Sequence, residues 1–210
     1  MNNLADLFTT PGYVAVRLMV EYSNKYPKNF FGQPKINIRH SLLVRDFAAY
    51  LQKLHGGNLA VVEVAALFHD IGKISTVEGH EELIVKLLNK HKNDFEFTDD
   101  EFELLLLACS EDVAIPPIEY TILHCADNLA FLYDSQYQEA FYRYIGTKKL
   151  LFEKRMDPKH EKLPLEAAKK LGDAFYFNVL KYWDNRPEES EVRYRPDIEG
   201  ANLASFTEIL

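Results

Sequence analysis

Four ionisable side chains, His40, His69, Asp70 and Asp127, fall on inward-facing positions of segments that are otherwise apolar. In LAVVEVAALFHDIG, Val62, Ala65 or Ala66, and His69 follow three-to-four spacing, which sets His69 on the buried stripe of a helix. In NIRHSLLVRDFAAYLQKL, His40 is followed at helical spacing by Val44, Phe47 and Leu51. In IEYTILHCADNLAFL, Asp127 shares a face with Tyr120, Leu123, Ala130 and Phe131. Burying this many ionisable groups costs free energy unless something neutralises them. A divalent cation would do so. Two neutral imidazoles and two carboxylates make a mixed nitrogen and oxygen set that suits a first-row divalent ion. Adjacent residues on an ideal helix point about 100° apart, so His69 and Asp70 reach one ion only near a helix end or distortion, and Gly72 supplies such an end. Taken singly, an inward His is an ordinary hydrogen-bonded core residue, and an inward Asp is a cap or a salt-bridge partner. Four together favour the ion.

The elements that must position these groups are helical, because strand signals are scarce and apolar spacing is helical nearly everywhere. Helices are expected at 11–25, 37–55, 58–71, 79–92, 98–110, 117–134, 136–156 and 164–183. Pro27 and Pro34 bracket the first loop, Gly56-Gly57 ends the second helix and Gly72 the third. Pro116-Pro117 opens the sixth, and Pro158 with Pro164 separates the last two. The fold class is therefore all-α. Residues 1–183 read as a single-domain helical bundle, and 184–210, with Pro187, Pro196 and the run EESE, as an irregular tail that either folds back or stays mobile.

His40, then His69-Asp70 in LFHDIGK, then Asp127 in CADNLAFL resemble the H…HD…D signature of the HD-domain metal-dependent phosphohydrolases, over roughly residues 36 to 134. The IGK extension, the upstream RHS and the downstream AD strengthen the likeness. The resemblance implies a bundle of the HD-domain type with a metal site that hydrolyses phosphate esters. Carried over residue by residue, His40, His69, Asp70 and Asp127 would ligate the metal. Lys73 would meet a phosphate or the charge that develops in the transition state; otherwise it is a surface lysine at a helix C-terminus. His80, at the start of the fourth helix, is either a ligand to a second metal, a phosphate contact, or an exposed residue near a cap. His124, three residues before Asp127, would touch substrate or give a proton to a leaving group, or else hydrogen-bond a carboxylate.

One departure stands out. Two-metal members of the family carry a further histidine or a His-His pair on the following helix, where this chain reads LLLLACSEDVAIPP. Cys109 or Glu111 would have to substitute, and Cys109 fits better as a small core residue. One metal ion is the expectation: Mn, Co, Ni, Fe, Zn or Mg, since the ligand mixture suits several ions. His55, His91 and His160 carry no expected role, the last two being read as solvent-exposed.

The composition narrows the class. The chain has 210 residues, a hydrophobic fraction of 47% and a net charge of -8, which suits a globular fold and offers no bulk attraction to nucleic acid or anionic membrane. Lys148, Lys149, Lys154 and Arg155 form the best basic patch, read as a solvated helix face. Two cysteines are too few for a disulfide framework, and no run approaches the roughly 20 apolar residues a bilayer needs. A cytoplasmic protein with free thiols is expected. No Gly-rich phosphate loop, GxSxG elbow or CxxC pair is present. The aromatics from Tyr137 to Trp183 either line a base- or sugar-binding wall or pack the C-terminal helices onto the core. The expected activity is divalent-metal-dependent hydrolysis of a small phosphomonoester, a nucleotide among the candidates, by attack of metal-activated water. Asp70, Lys73 and His124 would carry catalysis, and Lys73 and His80 would bind substrate. The alternatives are a phosphodiesterase or dNTP triphosphohydrolase, and a non-catalytic metal- or nucleotide-binding regulatory protein.

Overall fold

Short polar residues set where the helices begin. The computed structural model of the protein describes residues 7–26, 34–74, 80–110 and 113–191. Thr9 caps α1 (Thr10–Lys25), its side chain accepting from the Gly12 N–H. Helix α2 (Pro34–His55) runs to the Gly56-Gly57 pair. Asn58 caps α3 (Leu59–Phe68) by accepting from the N–H groups of Ala60 and Val61. Helix α4 (Glu81–Lys90) follows His80, and a capping box of Thr98 and Glu101 starts α5 (Asp99–Ala108). Pro117 precedes α6 (Ile118–Tyr133), and Asp134 caps α7 (Ser135–Ile145).

Helix α3 is apolar on every side but for Glu63, and Val61 to Phe68 are all buried. Such a helix belongs at the centre of a bundle, and α1, α2, α5 and α6 pack around it. It stops at Phe68, before the expected end at 71, and Ile71–Ile74 form a short 3-10 turn. Among the described residues there is no extended strand, only a single bridging pair between Thr147 and Glu189.

The helix expected over 136–156 is broken. Gly146 takes the left-handed conformation, φ 93°, and ends α7 there. The chain then turns and runs as α8 (Lys148–Leu151), a π-helical turn (Phe152–Met156) and α9 (Asp157–Glu161). Pro158 accounts for the wide turn: it has no N–H to give, and its ring crowds the carbonyl four residues back, at Lys154. Helix α10 (Glu166–Asp184) closes the bundle by packing on α6. The segment after it folds back, since Lys148 N–H donates to the Glu188 carbonyl at 2.7 Å and Ser190 N–H to the Gly146 carbonyl at 2.9 Å. Pro27 and the part of the tail with Pro196 lie outside the described residues.

Two histidines read as exposed are engaged instead. His91 lies between the Tyr22 hydroxyl, at 3.0 Å, and Asp94, at 2.7 Å. His160 stacks on Tyr176 with ring centroids 4.2 Å apart and pairs with Asp173 at 2.7 Å. The basic patch is also split: Lys148 is drawn to the carbonyl of Arg186 at 3.2 Å, and Arg155 turns inward over the Phe141 ring, while Lys149 and Lys154 stay exposed. The aromatics do much of the packing at this end, with Trp183 buried and donating to Gln138 at 2.9 Å. No described helix is long and apolar enough to cross a membrane.

Helices α1, α2 and α3 are tied by one buried carboxylate. Glu63 accepts from Thr9 N–H at 2.8 Å, from the Thr9 hydroxyl at 2.7 Å and from Arg45 Nε at 2.9 Å. Removing one partner of such a pair leaves the other charge buried without compensation. Glu63→Ala should therefore cost about 3 kcal/mol, read as a lowered urea midpoint in equilibrium unfolding. A midpoint unchanged from wild type would show that Arg45 and Thr9 do not depend on it.

Candidate metal centre

The end of α3 brings His69 and Asp70 together. His69 is its C-cap, and Asp70 lies in the turn before Ile71–Ile74. A helix end lets both side chains converge on one point, which the ideal 100° step prevents. Gly72 serves a neighbouring need. A Cβ built on it would lie 2.1 Å from the His80 carbonyl oxygen, so only glycine lets the chain return with His80 against this turn. His40 comes from α2 and Asp127 from α6. Arg39, next to His40, pairs with the buried Asp134 at 3.2 Å, which binds α2 to the start of α7.

Oδ1 of Asp127 lies 3.1 Å from His40 Nε2 and 3.7 Å from His69 Nε2. Oδ1 of Asp70 lies 3.5 Å from His69 Nε2 and 3.6 Å from His80 Nε2. Donor atoms of His40, His69 and Asp70 all lie within 4.8 Å of one another. His69 Nδ1 donates to the Ala66 carbonyl at 2.7 Å, which leaves Nε2 as the lone-pair nitrogen. That Nε2 is buried and has no hydrogen-bond partner among the described residues. Burial lowers the His69 pKa against the opposing pull of Asp70 and Asp127, which favours the neutral ring. An orphaned lone pair beside two carboxylate oxygens, too far for a hydrogen bond, fits a shared cation. Ligand atoms about 2.1 Å from one ion stand roughly 3 to 3.5 Å apart, close to these separations.

The second oxygens face away from the histidines. Asp70 Oδ2 accepts from Lys73 Nζ at 2.6 Å and from the Tyr137 hydroxyl at 2.7 Å. Asp127 Oδ2 accepts from Lys159 Nζ at 2.5 Å. Burial pushes both carboxyls up, yet His69 and Lys73 around Asp70, and Lys159 and His40 around Asp127, hold them well below the usual carboxylate range. Both are anions ready to bind a cation.

The remaining expected residues gather nearby. Lys73 is no surface lysine: its side chain is mostly buried and bonded to Asp70. His80 stands beside the cluster instead of out in solvent. A cavity of about 180 Å³ opens from His69 and Asp127 past His80, Glu81, Cys109 and His124. His124 lines that cavity, tilted over Tyr120 at 4.1 Å, and burial lowers its pKa. Cys109 also lines it, with burial pushing its thiol to about 12, which keeps it a neutral thiol. Glu111 lies outside the described residues.

Comparison with known proteins bears on the fold. The sequence model of the HD domain matches residues 37–132. That stretch carries the HD domain, and it holds all four candidate ligands, His40, His69, Asp70 and Asp127. The crystal structure of an HD-superfamily hydrolase from Bacillus thuringiensis shares the fold, with a TM-score of 0.55 and 18% identity, over 84% of this chain and 100% of that one. No curated protein matches the chain. The HD match ends before α7, so two residues at the site that the sequence reading gave no such place, Tyr137 and Lys159, come from outside it. No local motif marks them. Tyr137 shows only as one aromatic among many, and Lys159 only as a lysine after a proline.

The tight seat of Gly72 is open to test. Gly72→Ala must displace the His80 backbone, and overpacking of this kind costs about 1–3 kcal/mol. Thermal unfolding should show that loss, and a variant as stable as wild type would mean that His80 is not held against this turn.

Proposed function

We propose that the protein is a divalent-metal-dependent phosphohydrolase acting on a small phosphomonoester, a nucleotide being one candidate. The observation that carries this reading is the orphaned Nε2 of His69 between two ionised carboxylates, with Lys73 bonded to one of them. His40, His69, Asp70 and Asp127 would hold the ion. Bound there, a divalent ion supplies a Lewis acid for a phosphoryl oxygen and lowers the pKa of water. Asp70 orients the attacking water. Lys73 meets charge on the phosphoryl oxygens, and His80 adds a donor on the other side of Asp70. His124, on the cavity wall, is placed to hydrogen-bond the leaving oxygen.

The test is metal analysis of the purified protein joined to phosphate release from mono-, di- and triphosphates and phosphodiesters, with Mn, Co, Ni, Fe, Zn or Mg added. Release from monoesters that stops on chelation is expected. Asp70→Ala should lose both ion and activity. Lys73→Met should keep the ion while kcat falls roughly 100-fold. Stoichiometric bound metal without release from any substrate would overturn the enzyme reading and leave a binding protein. Preference for triphosphates or diesters would replace the substrate class.

A further inference from the structure

We infer that Tyr137 and Lys159 are positioning residues that restrict each aspartate to one metal-binding oxygen, and so fit the site to a single ion. This rests on the reading above that the cluster holds a metal. Each carboxylate is divided in the same way. Its Oδ1 faces the histidines, and its Oδ2 accepts from a residue beyond the HD match, Tyr137 for Asp70 (beside Lys73) and Lys159 for Asp127.

On Asp70 the donor is doubly secured. The Tyr137 ring lies flat on His40, with centroids 3.8 Å apart and planes 7° from parallel, while its hydroxyl donates to Asp70 Oδ2 at 2.7 Å. One side chain therefore fixes two ligands, one on α2 and one in the turn after α3. Lys73 reaches the same hydroxyl at 3.4 Å. When Lys73 turns to a phosphate, Tyr137 still caps Oδ2. The residue is itself placed by Asp134, whose side chain accepts from the Gln136 and Tyr137 N–H groups at the start of α7.

On Asp127 the donor comes from the broken helix. Lys159 bonds Asp127 Oδ2 at 2.5 Å and Asn128 Oδ1 at 3.2 Å. The Asn128 amide in turn donates to the Lys162 carbonyl at 2.8 Å, holding the end of that segment on α6. A carboxylate with one oxygen engaged this way has one left for an ion. A second ion would need a bridging or chelating carboxylate, and neither aspartate has a spare oxygen to supply it.

Equilibrium dialysis with Mn²⁺ tests this without reference to turnover. Wild type should bind one ion per chain. Tyr137→Phe keeps the ring on His40 and removes only the hydroxyl, and should weaken Mn²⁺ binding about 10- to 100-fold. Lys159→Met should weaken it similarly, and Lys159→Arg should restore most of the loss because its charge and donors remain. Two ions per wild-type chain, or unchanged affinity in Tyr137→Phe, would overturn the inference while leaving the metal reading intact. Tighter binding in Lys159→Met would make Lys159 a competitor for Asp127 and overturn its part. No Mn²⁺ uptake by wild type, with none of the other ions bound either, would defeat both. The near-isosteric Tyr137→Phe decides the case even where Lys159→Met fails to fold.

Discussion

Two ionised carboxylates inside an apolar bundle are the constraint on which this structure is organised. Asp70 and Asp127 can stay charged only if every lone pair facing inward meets a donor or a cation. The histidines and lysines around them answer different oxygens of the same groups. That demand explains why a chain with so apolar a central helix spends four further helices and the segment 148–161 on the surroundings of two side chains. It also explains the local irregularities. Helix α3 ends where His69 and Asp70 must converge, and the chain returns over Gly72 because His80 has to come close.

Glu63 shows the same demand met by another route. It is as buried as Asp70, yet Arg45 and Thr9 satisfy both of its oxygens, and no lone pair remains for an ion. Burial of an acid does not by itself make a metal site. The difference at Asp70 is an unpartnered imidazole nitrogen beside a carboxylate oxygen, too far apart to bond each other.

What was legible in the sequence was whatever period and proximity along the chain encode. His40, His69 and Asp127 repeat with the apolar stripe of their own helices, so each can be placed inward before its partners are known. Lys73 is one turn from Asp70, and the pair is local. Tyr137 and Lys159 are different. Their contacts run to residues far along the chain, and nothing in QYQ or in DPKHE reports that distance. His80 lies between these cases: its place depends on a glycine that reads as a helix stop and acts as a seat. The expected helix over 136–156 failed for a similar reason. Amphipathic spacing continues across Gly146, but the left-handed cap and Pro158 outweigh it locally. That break sends the chain back across α6, where an unbroken helix would have carried Lys159 away.

The same arrangement bears on the charge of the substrate. Lys73 offsets Asp70 and Lys159 offsets Asp127 by direct contact, while burial favours neutral His69. On the proposed reading, a divalent ion added to this balanced set keeps its two positive charges uncompensated by its immediate protein surroundings. A phosphomonoester dianion supplies the matching charge, whereas a triphosphate brings more negative charge than these groups answer. The acidic net charge of the chain works in the same direction, since it repels a polyanion more strongly than a dianion. Preference for a single phosphate would then follow from how Asp70 and Asp127 are neutralised, with no need for a wall that excludes larger substrates.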